Sequence, residues 1–308
     1  MINFRYHLVS LTAIFLALGL GIAIGATVVD EALVDQVESQ LDRVERRADT
    51  VDATNEGLER DLTNWDLFGE QAGDALTAGR LAGVPVALVS VEGVDGDVVG
   101  QLEGSLRAAG ASIPFKVVLN SRLLLEDTAT ARELAAIVES ASVQPDELRQ
   151  QATALLAESW AGRARPNLLA ELQAASFVEV VSDFPGPELP TVAEVAPRFL
   201  LVSSDEADLD NETLSVPLGV AMAGAGLPLT AADVSRERSA VESEQAPPEA
   251  PFATLLREED RASSRISTVD HAADFRGRVA VILSLVQLGD GRFGHYGTAV
   301  GAQRLLPD

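Results

Sequence analysis

Cysteine is absent from the chain, which removes disulfides, thiolate metal ligands and thiol nucleophiles together. Methionine is limited to Met1 and Met222, so the thioether donors that suit Cu(I) are scarce as well. Histidine is confined to His7, His271 and His295. Lysine occurs once, at Lys116, so the other 22 of the 23 basic residues are arginine. Aromatic residues make up 5% of the chain, too few for the interfacial girdles of an outer-membrane β-barrel. The formal charge of -24 argues against nucleic acid or anionic lipid as partners and leaves divalent cations and basic surfaces. The sequence holds no P-loop, no G-x-S-x-G elbow and no H-E-x-x-H. "GDGRFG" from Gly289 fits G-x-G-x-x-G literally, but only 14 residues follow Gly294, too few for the helix, strand and acidic residue of a dinucleotide site. It reads as a turn, and the chain reads as a non-enzyme with no catalytic residues.

What is present starts with one long apolar run. Leu8 to Val29 gives 22 residues without a charge, enough at ~1.5 Å per residue to cross a ~30 Å hydrocarbon core, where a signal-peptide core needs only about 7 to 15. Length argues for a retained anchor. The small residues of Ala23-Ile24-Gly25 and the thin basic flank at Arg5 keep a cleaved signal as the alternative. Arg5 on one side and Asp30, Glu31 and Asp35 on the other predict a single pass with a cytoplasmic amino terminus and an extracytoplasmic remainder. Ala17, Gly21 and Gly25 lie four apart, a face on which two membrane helices approach closely.

The strongest periodic signal follows. Val34, Leu41, Ala48, Asn55 and Leu62 fall on a positions, and Val37, Val44, Val51, Leu58 and Trp65 on d positions. The e positions are all acidic, at Glu38, Glu45, Asp52, Glu59 and Asp66. Asn55, polar at an a position, favours a parallel homodimer in register, and Arg47 at g reaches Asp52 of the other helix. Asp61 and Asp66 repel in the same relation, and Ala48 packs little, so the coil is weak alone. The alternative is an amphipathic helix folded back on the domain that follows, because periodicity identifies a buried face and not its partner.

That domain reads as open, Rossmann-like α/β. Strand candidates are "VPVALVSVEG", "IPFKVVLN", "FVEVVS", "RFLLVSS", "LPLTAADV" and "SRISTVD", with helical spacing between them at 96–110, 128–140, 145–159, 166–175, 214–225 and 277–288. The organisation is a cytoplasmic tip and transmembrane anchor over 1–29, a coiled-coil stalk over 30–70 and an α/β domain over 82–308, with loops near 184–197 and 236–252. Chemistry concentrates in "STVDHAAD" and "GHYG". His271 and His295 are the only imidazoles outside the membrane end, so a copper site of nitrogen donors has to use both. Adjacent residues of an extended segment point to opposite faces, which keeps Asp270 and His271 apart and makes His271 a helix-entry or surface residue. "GHYG" reads as a tight turn whose aromatic side chains close the core.

The amino-terminal "MINFRYHLVSLTAIFLALGLGIAIGATVVD" and the carboxy-terminal "STVDHAADFRGRVAVILSLVQLGDGRFGHYGTAVGAQRLLPD" resemble the actinobacterial MctB family of mycobacterial copper transporters. The resemblance covers both ends closely and the middle by order of elements. It implies copper as cargo, efflux or homeostasis as the role, and the cell envelope, including its outer part, as the location. It also implies division-site or cell-wall proteins as partners. Two readings stand at this point: a membrane-anchored copper-homeostasis protein, and a non-catalytic dimeric scaffold presenting an α/β head to a cell-envelope protein.

Overall fold

A computed structural model describes residues 4–182, 198–235, 251–260 and 262–308. The loop expected near 184–197, and the other expected loop as far as position 250, lie outside the described residues. The side chain of Val34 also lies outside them. The chain divides into two compact units, Met1–Trp65 and Asp66–Asp308.

The described residues of the first unit, from Phe4, are all helical. Helix α1 runs unbroken over Phe4–Thr77, 74 residues, of which the last twelve belong to the second unit. Its first 22 residues, Phe4–Gly25, have a mean hydropathy of 2.3 and are long and apolar enough to cross a membrane. Beyond them Val37, Leu41, Val44, Val51, Leu58, Leu62 and Trp65 are each 48–66% exposed, so the seam is an apolar stripe on a polar helix. Local preference along this helix is uneven. Thr50, Val51, Asp52, Thr54, Asn55 and Gly57 bring the window 50–57 to about 4 kcal/mol below polyalanine in helix propensity, whereas Glu, Gln, Leu and Arg dominate 38–47.

The second unit is built on a seven-stranded sheet of order β3-β2-β1-β4-β5-β6-β7. The strands are β1 Pro85–Val91, β2 Ser112–Leu119, β3 Val178–Ser182, β4 Arg198–Ser203, β5 Leu229–Asp233, β6 Ile266–Val269 and β7 His295–Tyr296. All pairings are parallel except β2 with β3. The run 3-2-1-4-5-6 is the order of doubly wound nucleotide-binding sheets, here with an antiparallel edge at β3. Valine-rich strands form because both faces are covered: Val86 and Leu88 enter one layer, Ala87, Val89 and Val91 the other.

One layer holds α2, Gly96–Ala108, and α8, Phe275–Leu288. The other holds α3 Thr128–Ile137, α4 Pro145–Trp160, α5 Leu168–Ala174, α6 Val216–Gly224 and α7 Phe252–Glu258. Trp160 stacks on Phe199 at 5.9 Å between centroids and closes that layer on the sheet. The expected helices and six expected strands are all found. Two elements depart from expectation: "GHYG" supplies the short strand β7, and a helix begins at Phe252, where the second loop was expected to end.

The final turns of α1 seat against α8. Gly69 and Gly73 are one turn apart; a Cβ on Gly69 would enter the Phe275 ring, and one on Gly73 would stand 3.2 Å from Val279. Gly69 is thus needed for contact distance. Gly69→Leu should cost about 1–3 kcal/mol by overpacking, seen as a lower thermal midpoint of the detergent-solubilised chain. Gly57→Leu, where nothing lies within 4 Å, should show no such loss. Equal midpoints for the two variants would refute the seat.

Candidate functional site

Open parallel sheets bind ligands outside the carboxyl ends of their strands, first of all where the strand order reverses. That reversal lies between β1 and β4, and the chain itself fills it. Asp208 N–H donates to the Glu92 carbonyl at 2.9 Å, laying the segment after β4 across the Glu92–Gly93 backbone. The Glu92 carboxylate accepts from Ser121 N–H at 2.5 Å. The amino end of α2 is capped by Asp95, whose Oδ1 accepts from Asp97 N–H at 2.9 Å and Val98 N–H at 3.4 Å. Carboxylates therefore hold the place and the donors that a phosphate would need. Beyond β4, Ser203 Oγ meets Asn211 Oδ1 at 2.6 Å and Ser215 Oγ at 3.1 Å within a π-helical turn, Asn211–Ser215.

The polar concentration lies one and two strands further on. Register places Ser203 beside Asp233, and one residue past the Ala232–Val269 pair Asp233 is followed by Asp270 on the neighbouring strand. Arg257 of α7 reaches this row. Its Nη1 donates to Asp270 Oδ2 at 2.8 Å and to the Val300 carbonyl at 3.1 Å, its Nη2 to the Tyr296 carbonyl at 2.9 Å, and its Nε to Thr268 Oγ1 at 2.8 Å. The Arg257 and Asp270 side chains are only 3% and 1% exposed. Asp270 also accepts from Thr298 N–H at 2.9 Å and Ala299 N–H at 3.1 Å. That turn needs Gly297, which has φ +131° and where a Cβ would strike the carboxylate.

The two expected metal ligands flank this pair. His295 Nδ1 lies 3.0 Å from Thr268 Oγ1, the hydroxyl that Arg257 also contacts. His271 Nδ1 stands 3.5 Å from Asp270 Oδ1, and neither His271 ring nitrogen has a hydrogen-bond partner. The chain bends at Asp270, so Asp270 and His271 meet where an extended segment would have parted them. His271 is half-buried, with its side chain 9% exposed, three residues before the cap of α8. The histidines are thus linked through Thr268, Arg257 and Asp270, with a permanent cation joining the neighbour of one ring to the neighbour of the other. Among the described residues no group of three or more His, Asp or Glu side chains forms a metal cage.

Sequence reasoning missed Arg257, Thr268 and Asp233. The signal for Arg257 was its place directly after the apolar Leu255-Leu256 pair of a short segment. A separate cavity of about 270 Å³ opens among the end of α1, α2 and α8, walled by Gly69, Gly73, Gly104 and Phe275. The Arg278 guanidinium on its wall is engaged by Gln101 Oε1 at 3.2 Å and the Ala273 carbonyl at 2.9 Å.

Electrostatics divide the two neighbouring aspartates. Burial alone would raise the Asp270 carboxyl, but the His271 ring, the Thr298 N–H and the Arg257 guanidinium outweigh it and hold the group at about 2. Burial pushes the Asp233 carboxyl up and the Asp205 charge adds to this, against hydrogen bonds from Ser235 and the Ala253 backbone; Oδ2 has no partner. Burial lowers His295, and the Arg257 charge lowers it further.

The signs of the two carboxyl shifts are opposite. Asp270 lies below its unfolded value, so its stabilisation is complete above about pH 4 and is lost as pH falls towards 2. Asp233 lies above its unfolded value, so its contribution is greatest in acid and is lost as pH rises through the folded value. Asp270→Asn should therefore lower the thermal midpoint at pH 7 and lose less at pH 3. Asp233→Asn should gain at pH 7 relative to pH 4. Thermal melts across pH check both, and parallel profiles for the two variants would overturn the assignment.

With the fold and this corner of the sheet established, comparison with known proteins gives one answer. The family described as "Copper transport outer membrane protein, MctB" matches residues 1–307. Proteins named copper transporter MctB from Mycobacterium bovis and Mycobacterium tuberculosis are each 25% identical over 323 aligned positions, covering 98% of this chain and 98% of the relative. The match runs through the apolar helix, the seam and the α/β unit alike, and the chain belongs to the MctB family.

Proposed function

We propose that the protein serves copper homeostasis at the cell envelope, anchored by α1 through the cell membrane, with the α/β unit on the extracytoplasmic side. The observation that carries this reading is the whole-length family match, with relatives named as copper transporters. Copper is cargo in this reading and not a resident cofactor, and no catalytic step is assigned. The Phe4–Gly25 helix supports the anchor, and Arg5 against the acidic residues after the span supports a cytoplasmic amino terminus. The scaffold alternative gains no support from the relatives.

A single apolar helix encloses no path, so a transport role calls for more than one chain. The exposed seam favours a second copy as that chain, paired in parallel through Val37, Leu41, Val44, Val51, Asn55, Leu58 and Leu62. Gly21 and Gly25 in the span, with nothing within 4 Å, leave room for the same pairing inside the membrane.

A deletion strain should arrest at several-fold lower copper than its parent and hold more cell-associated copper, both restored by the full chain. Unchanged tolerance and content would sink the copper reading. Pairing is tested separately in the naturally cysteine-free chain. Single cysteines at Leu41 and at Leu58 should each cross-link to their own copy, and failure at both, with a monomer in detergent, would favour the fold-back alternative.

A further inference from the structure

We infer that Thr50–Gly57 is a flexible joint built into the stalk helix. Every residue from 36 to 56 is exposed, so no packing within the chain overrides local preference there. Within this helix the window 50–57 gathers Thr50, Val51, Asp52, Thr54, Asn55 and Gly57, all residues that oppose helix formation. The structure shows how these residues weaken the helix on these turns. Thr50 Oγ1 donates to the Arg46 carbonyl and Thr54 Oγ1 to the Thr50 carbonyl, each at 2.7 Å, the i−4 back-bond that weakens and bends a helix. Gly57 carries no side chain and has open space around it.

Pairing would not repair the weakness. The a positions that border and enter this stretch are Ala48, which fills little of a hole, and Asn55, which sets register at a cost in stability. The joint therefore falls at the same place in a single or a paired helix. It gives the stalk a segment that opens locally while the turns on its amino-terminal side stay helical. The inference does not depend on copper.

Hydrogen exchange by mass spectrometry on the full chain in detergent tests it. Amides of 51–58 should exchange about ten-fold faster than those of 38–47. The double variant Thr54→Ala/Gly57→Ala should slow the segment several-fold, with β1 amides unchanged as the reference for the fold. Exchange no faster than in 38–47, or a double variant that leaves the segment's rate where it was, would overturn the joint. A loss of copper function in cells with the exchange pattern intact would bear on the copper role alone.

Discussion

A guanidinium and a carboxylate sealed from water hold the last third of the domain together. Removing Arg257 and Asp270 from solvent costs several kcal/mol per ion, and attraction alone recovers this only when the remaining donors and acceptors are engaged. Arg257 meets that condition with four acceptors from three parts of the chain: the end of β6, the β7 backbone and the segment around Val300. Asp270 meets it with two backbone N–H groups beyond Gly297. A two-residue strand such as β7 has little pairing energy of its own, and a seven-residue helix such as α7 lies below the length at which helices stand alone in water. Both persist here because Arg257 joins them, through the ion pair with Asp270 at the end of β6 and the hydrogen bond to the Tyr296 carbonyl of β7. Removal of either partner strands a buried charge, at about 3–5 kcal/mol.

The same network accounts for what the sequence made legible and what it hid. Strands β1, β2, β4, β5 and β6 were readable because each is covered on both faces and so appears as a short stretch of mostly apolar or small residues rather than as a clean alternation. The helices were readable from the helical spacing of their apolar residues. Strand β7 was hidden because its register is imposed from outside, by the β6 edge and by Arg257 on the Tyr296 carbonyl. Helix α7 was hidden because its reason for folding is tertiary, Phe252 and Leu256 entering the core beside an arginine whose carboxylate lies 13 residues later. The contact between Asp270 and His271 was hidden by a bend that no local pattern announces. What failed to show in sequence is what depends on partners distant along the chain.

At the carboxyl end of the sheet, described residues at the strand reversal and beyond β6 brace one another. The positions where doubly wound sheets receive anions are filled by Glu92, Asp95 and the Asp208 backbone. The position where two imidazoles might have converged is bridged by Arg257, whose charge opposes a metal cation there. Family membership rests on the length of the match and not on a constellation of ligands.

Helix α1 obeys three solvents in turn. Through Gly25 its apolar residues suit lipid, and from Val37 to Trp65 they mark one stripe of a polar helix. Seven residues after Leu62 the next a position of the repeat is Gly69, and it is occupied: the Phe275 ring of the same chain presses on it, with Val279 one turn later at Gly73. The heptad does not fade at this point; its place is taken by α8. The boundary between the two compact units falls after Trp65, four residues before that contact.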